Sequence, residues 1–244
     1  MKTYRDDAIV LRCHDLGEAD RIITMLSRQH GKVRAVAKGV RRTKSRFGSR
    51  VEPFSMIDVQ LYRGRNLDTI TQVESRNQYG RTLVANYDAY TTASVMLELA
   101  GRLTGDDPDP GQFRLLHGAL HASATAAHAP DLVLGSYMLR ALALSGWELA
   151  VFECALCGVP GPHEAFHVAS GGAVCDDCRP PGSTIPTVDT WQLIGALNEG
   201  DWRIADKSTD VARKSANALI SAFAQWQLET KVKSLRMVRV GEQR

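Results

Sequence analysis

The spacing of apolar residues changes near residue 79, and this change constrains the fold more than any other feature of the chain. Before it, between residues 8 and 74, apolar and polar residues alternate in short runs separated by turn residues, which is typical of β-strands. After it, starting between residues 83 and 103, apolar residues recur three or four positions apart, which is typical of amphipathic helices. The sequence therefore predicts an α+β protein in which the strands precede the helices.

Five short strands are predicted, at residues 8–13, 21–27, 32–39, 54–62 and 67–73. Five strands within about 75 residues fit a small closed barrel such as the OB-fold, which binds oligonucleotides in many proteins. Helices are expected at residues 83–103, 113–127, 130–145, 190–197 and 211–228. We therefore predict a five-stranded OB-fold β-barrel at residues 1–79 and an all-α domain at residues 80–244, with an insert at about residues 150–186.

Positive charge is concentrated in residues 21–51, which contain ten Lys and Arg residues and no Asp or Glu. The whole chain, by contrast, has 30 basic and 27 acidic residues. Such a segment attracts polyanions over about 8 Å at physiological salt. It favours a nucleic-acid-binding surface, although basic segments also bind acidic proteins and lipid head groups or simply face solvent.

The predicted strand at residues 32–39 alternates basic and apolar residues, so its cations should share one face. Residues 41–50 are expected to form an adjoining loop in which Phe47 is the one aromatic residue. Phe54 and Tyr62 are expected in the core, so contacts to phosphates should dominate over base stacking. The predicted DNA-binding residues are Lys32, Arg34, Lys38, Arg41, Arg42, Lys44, Arg46 and Arg50.

Four cysteines form two closely spaced pairs, Cys154-x-x-Cys157 and Cys175-x-x-Cys178, separated by seventeen residues. Two such turns can place four thiolates at the corners of a tetrahedron around Zn²⁺. The spacing predicts one structural zinc ion; redox dithiols, disulfides and an iron–sulfur cluster are the alternatives. Because four thiolates close the coordination sphere, the ion would stabilise the insert rather than take part in catalysis.

Motifs for nucleotide binding or hydrolysis do not occur in the sequence, which has no G-x-x-x-x-G-K-[ST], H-E-x-x-H or G-x-S-x-G. We therefore expect a protein that is not an enzyme. The first residues carry charges of both signs with no apolar segment behind them, and no run of about 18 apolar residues occurs. A cytoplasmic location without membrane contact is expected.

The stretches that carry a family resemblance are residues 8–11, 16–27, 30–46, 52–54 and 228–237. In order along the chain, they are similar to the RecO family of bacterial recombination mediators, and the four clustered cysteines fit its zinc-containing members. The resemblance implies an N-terminal OB-fold and a helical C-terminal domain with a zinc module. It also implies binding to single- and double-stranded DNA, annealing of complementary strands, and a nucleoid-associated location.

Proteins of this family work with RecR and help to place RecA on DNA covered by single-strand-binding protein, whose acidic C-terminal tail they contact. In this chain Lys231, Lys233 and Arg236 flank apolar residues and are predicted to bind that tail. The alternative is a helix that packs on the core with its cations outward.

Two other functions fit the same sequence features. A zinc-containing transcriptional regulator should prefer a specific duplex, whereas a mediator should bind single strands of mixed sequence. A zinc-stabilised nuclease should cleave DNA in the presence of magnesium, but the sequence offers no carboxylate cluster that would hold the ions.

Overall fold

The structure, a computed structural model, describes residues 2–45 and 47–228 together with Val238. The chain divides into two compact units between Thr125 and Ala126. Among the described residues, the first unit contains a β-barrel and three helices, and the second contains four helices and a small two-stranded sheet. None of the helices in this part of the chain combines the length and the apolar character that crossing a membrane requires.

Five strands close the barrel in the order β1-β2-β3-β5-β4. They are β1 (Thr3–Leu16), β2 (Asp20–Ser27), β3 (Gly31–Ala37), β4 (Ser55–Tyr62) and β5 (Asp68–Gln78). β3 and β5 are parallel, and the other neighbouring strands are antiparallel. The predicted five-stranded barrel is confirmed, and its strand number and closure are those of the OB-fold.

The first strand begins at Thr3, earlier than the predicted start at residue 8. The prediction missed this part of the strand because a buried acid interrupts its apolar pattern. Asp6 is buried, and its carboxylate accepts hydrogen bonds from the Ser27 hydroxyl and, at 2.8 Å, from the backbone N–H of Gln29. His30 Nδ1 lies 2.9 Å from the same carboxylate. A carboxylate can be buried where several hydrogen-bond donors satisfy it. The polar residues at the start of β1 therefore do not identify this part of the strand in the sequence.

The core of the barrel is built from inward-facing residues of all five strands, and the segment between β3 and β4 also contributes to it. Phe47 and the short 3₁₀ helix Gly48–Val51 place two apolar side chains, Phe47 and Val51, into this core. The other core residues are Ala8, Val10, Ile23, Met25, Val33, Ala35, Ala37, Val40, Ile57, Val59, Leu61, Ile70 and Val73.

Helices make up most of the remaining described chain. They are α1 (Tyr79–Leu83), α2 (Tyr87–Leu103), α3 (Pro110–Ala124), α4 (Pro130–Leu144), α5 (Val188–Glu199), α6 (Trp202–Ala205) and α7 (Asp210–Gln227). The prediction that one helix starts at residue 83 is wrong, because α1 ends there and Asn86 caps α2. The Asn86 side chain accepts a hydrogen bond from the backbone N–H of Ala89 at 3.1 Å, which satisfies a donor that has no partner within the first turn.

The second unit packs α4, α5 and α7 against one another. Its core includes Tyr137, Ile194 and Phe223, and the buried Ser136 hydroxyl donates to the Leu197 carbonyl at 2.8 Å. Between α4 and α5 the chain forms the predicted insert, which contains the short antiparallel strands β6 (Ala165–His167) and β7 (Gly172–Val174).

Within the first unit, the start of β3 is tied to the end of α2. The Lys32 amine donates to the carbonyls of Gly101 at 3.0 Å and Thr104 at 2.6 Å, and the Lys32 backbone N–H donates to Gly105 at 2.7 Å. A cation is favoured at a helix C-terminus, where carbonyls lack intrahelical donors. Gly31 has φ +65°, and a Cβ there would lie 2.6 Å from the carbonyl carbon of Asp106.

We expect Gly31→Ala to lower the free energy of unfolding more than Gly17→Ala does. Gly17 has a similar φ of +60° but nothing within 4 Å of its Cβ position, so its substitution adds only the cost of the left-handed backbone, about 1 kcal/mol. Gly31→Ala adds a contact with the Asp106–Asp107 backbone, which should cost about 1–3 kcal/mol more. Urea unfolding of the full chain measures both; equal losses would mean that the Asp106–Asp107 backbone moves away from the added methyl group at no cost in free energy.

Candidate nucleic-acid interface and metal centre

The basic loop, defined as residues 38–45 and 47–50, begins in a turn that is fixed to the β1–β2 connection. Gly39 adopts φ +67°, and its backbone N–H donates to the Asp20 carboxylate at 2.7 Å. The Arg41 backbone N–H donates to Ala19 at 3.0 Å, and its guanidinium donates to the Gly17 carbonyl at 3.1 Å. The first half of the loop is therefore held at the end of the barrel where β1 meets β2.

The second half of the basic loop is anchored by Phe47. The backbone N–H groups of Phe47 and Gly48 donate to the Ser45 hydroxyl at 3.2 and 3.3 Å, and the Phe47 ring is only 4% exposed in the barrel core. The aromatic residue that the sequence placed within the loop is thus a core residue and cannot stack on bases.

The structure sorts the predicted DNA-binding cations into three groups. Lys32 is bound to the end of α2, and Arg41 lies 3.4 Å from the Asp15 carboxylate. Arg46 lies outside the described residues. The remaining members, Arg34, Lys38, Arg42, Lys44 and Arg50, are exposed.

The exposed cations Arg34, Lys38, Arg42 and Lys44 make no ion pair within the described part of the chain, so their charge is directed to solvent. By contrast, Arg21 in β2 is paired with Asp15 at 2.9 Å and Glu52 at 2.7 Å. Cations that lack protein partners can neutralise phosphates and release their counterions, and such contacts do not depend on base sequence. This surface is therefore suited to a nucleic-acid backbone.

Tyr62 was expected in the core, and this prediction is wrong. Ile57, Val59 and Leu61 face the barrel interior, so the alternation of a strand places Tyr62 outside, where it is 42% exposed. The same alternation, read from the apolar residues of β4, is the signal that the sequence interpretation missed. The residues that follow are Arg63-Gly64-Arg65, which puts two cations beside an exposed ring.

The four clustered cysteines meet in the insert. The backbone N–H of Gly158 donates to the Cys154 carbonyl at 2.8 Å, which closes the first turn, and the N–H of Ala155 donates to Ala173 at 2.8 Å, which joins it to the second. The four sulfur atoms lie within 4.8 Å of one another, and those of Cys157 and Cys175 are 3.8 Å apart. A zinc tetrahedron with bonds near 2.3 Å has edges of about 3.8 Å, whereas a disulfide needs about 2 Å.

The ionisation of the thiols also fits a metal ion. The backbone N–H of Cys175 donates to Cys154 Sγ at 3.4 Å, and this bond, with further backbone donors, lowers the pKa of Cys154 to about 6. The neighbouring thiols of Cys175 and Cys157 raise the pKa of Cys178 to about 12. One thiolate forms readily, but four can coexist only around a cation, because like charges at this distance repel. The donor set is therefore that of a metal site.

Two histidines between the cysteine pairs have other partners. His163 Nε2 lies 2.9 Å from the Val159 carbonyl, and His167 Nδ1 lies 2.7 Å from the Ser170 hydroxyl. Among the described residues, the group that can hold a metal ion consists of the four cysteines alone. The predicted peptide-binding residues Lys231, Lys233 and Arg236 lie outside the described residues.

The barrel, its exposed cations and the separate four-cysteine module define an OB-fold protein of the nucleic-acid-binding class. Family comparison agrees with this class: the model "Recombination protein O N terminal" matches residues 1–79, and "Recombination protein O C terminal" matches residues 84–236. The chain belongs to the RecO family, as the sequence resemblance predicted. A role in DNA repair and recombination follows from this membership.

We expect each chain to bind one divalent metal ion through the four cysteines. Cys175→Ser and Cys178→Ser should each lower the metal content of the purified protein well below one ion per chain, because hydroxyl oxygen is a poor ligand for a thiophilic ion. Cys13→Ser is the matched control, since the Cys13 thiol donates to the Val51 carbonyl at 3.1 Å in the barrel. Atomic emission spectroscopy measures the content. Equal metal content in all three variants would exclude the cysteine site.

Proposed function

We propose that this protein is a non-enzymatic recombination mediator. It binds single- and double-stranded DNA, anneals complementary strands, and acts with RecR to help load RecA onto DNA coated by single-strand-binding protein. The single observation that supports this proposal best is the group of exposed, unpaired cations on and beside the barrel of a RecO-family chain. The cytoplasm, in association with the nucleoid, is the corresponding location.

The proposed annealing follows from electrostatics. Two DNA strands repel each other through their phosphates, and cations such as Arg42 and Lys44 lower that repulsion when both strands lie against the same surface. Each phosphate neutralised on a single strand contributes about −0.7 to the slope of log affinity against log salt. The process forms base pairs without breaking a covalent bond, so it needs neither a nucleotide nor a catalytic residue.

The metal ion is proposed to be one structural Zn²⁺ bound by Cys154, Cys157, Cys175 and Cys178. Four thiolates complete its coordination, so it offers no position for water or substrate. Its contribution is to join the two cysteine turns in an insert whose strands β6 and β7 have only three residues each. Such short strands bury little surface, and a metal ion supplies folding free energy that they lack.

The partner contacts are proposed on the basis of family membership. Lys231, Lys233 and Arg236 remain the predicted binding residues for the acidic tail of single-strand-binding protein. A charge reversal at all three positions should weaken binding of a tail peptide, and unchanged binding would place the contact elsewhere on the chain.

We expect the wild-type protein to accelerate annealing of two complementary oligonucleotides of mixed sequence without ATP. Arg42→Glu/Lys44→Glu should lose most of this acceleration, and its salt slope on single strands should be shallower by about 1.4, the share of two phosphate contacts. The control is Arg114→Glu/Lys214→Glu, which makes the same charge change at exposed helix positions. Fluorescence energy transfer between labelled strands measures the annealing rate.

Two outcomes would contradict parts of this proposal. Equal annealing by both double variants would move the DNA surface away from the basic loop. A wild-type protein that does not anneal but binds one duplex sequence would favour the transcriptional regulator.

A further inference from the structure

The end of the barrel opposite the basic loop presents an exposed aromatic ring on an open sheet surface. Tyr62 ends β4, and its partners in register are Thr3 on β1 and Thr69 on β5. Both neighbours have small side chains, and the tyrosine is 42% exposed. One sheet surface therefore offers an aromatic face that a planar group can reach.

The turn that follows Tyr62 is held in place. The backbone N–H of Arg63 donates to the Lys2 carbonyl at 2.6 Å, and the N–H of Gly64 donates to the Asp68 carboxylate at 2.9 Å. The Tyr4 hydroxyl donates to the same carboxylate, and the Arg63 guanidinium carbon lies 5.1 Å from the Tyr4 ring centroid. A fixed turn positions a binding group at low entropic cost.

Four cations belong to segments at the same end of the barrel as Tyr62. Lys2 comes from the start of the chain, Arg28 from the β2–β3 turn, and Arg63 and Arg65 from the β4–β5 turn, and all four are exposed. Within the described residues, the side chains of Lys2, Arg28 and Arg65 form no ion pair. Further along the same sheet surface, Arg5 and Arg76 are neutralised by Asp58 at 2.6 and 2.5 Å. Of the cations just named, those without an acidic partner are thus the ones at the barrel end that carries Tyr62.

We propose that this end of the barrel is a second nucleic-acid contact, in which a base of a single strand stacks on Tyr62 while Arg63 and Arg65 contact its phosphates. The inference rests on the proposed DNA-binding function and adds a selectivity to it. Stacking requires a base with a free face, which a single strand offers and the interior of a duplex does not. Tyr62 therefore favours single strands, whereas the basic loop binds the backbone of either form.

We expect Tyr62→Ala to weaken binding of a single-stranded oligonucleotide on the order of tenfold, with no change in duplex binding and no change in the salt slope. Tyr62→Phe should bind as wild type does, because the ring is retained. Tyr87→Ala removes another exposed tyrosine of the first unit and is the matched control. Fluorescence anisotropy measures the affinities, and thermal unfolding checks that each variant is folded.

An oligonucleotide in which abasic sites replace the bases tests the stacking itself. Wild-type protein should bind the abasic strand as weakly as Tyr62→Ala binds the normal strand. Tyr62→Ala should bind both strands with the same affinity. Wild-type affinity of Tyr62→Ala for the normal strand would overturn the inference, as would an equal loss on duplex DNA.

The two proposals fail separately. If Arg42→Glu/Lys44→Glu loses DNA binding and Tyr62→Ala does not, the backbone contact stands and the stacking contact is wrong. If the wild-type protein binds neither single strands nor duplex, both proposals are wrong.

Discussion

Closure of the barrel by the parallel pairing of β3 and β5 is the constraint on which the proposed functional surface depends. The pairing is short, with Ala35 opposite Asp68 and Val36 opposite Thr69. It fixes the direction of every other strand, so the β1–β2 turn and the basic loop lie at one end of the barrel, and the β2–β3 and β4–β5 turns lie at the other. Cations that are neighbours in sequence, such as Arg28 and Arg42, are thereby separated, and Arg28 and Arg65 are brought to the same end.

Outward-facing residues of β3 show why charge alone does not assign a function. Lys32 and Arg34 are two positions apart and face the same side of the strand. Lys32 satisfies carbonyls at the end of α2, whereas Arg34 remains exposed. A free helix C-terminus and a phosphate both present oxygen atoms that attract an amine. Which of them Lys32 binds is decided by a segment about 70 residues away, and no local pattern reports that contact.

The same distinction explains what the sequence could predict. The cysteine site was predictable because each pair forms its own turn, and the two turns lie within 25 residues of chain, from Cys154 to Cys178. The barrel was predictable because alternation reports strands directly. Tyr62 was placed wrongly, and the burial of Phe47 was not predicted, because burial depends on which surface a neighbouring segment covers. Phe47 returns to the barrel core from a loop, and Tyr62 stands at a strand end that no described segment covers.

A surface that anneals DNA by charge alone has an inherent difficulty. Duplex DNA carries one negative charge per about 1.7 Å of axis, twice the density of either strand, so a purely cationic surface holds its product more tightly than its substrates. An aromatic residue that binds only unpaired bases raises the affinity for the single strands relative to the duplex, because its contribution disappears when the bases pair. Tyr62 lies at the end of the barrel away from the basic loop. An unpaired strand can therefore contact both Tyr62 and the basic loop, whereas a paired strand contacts only the basic loop. The division of the barrel into two ends would then assist release of the annealed product without a source of chemical energy.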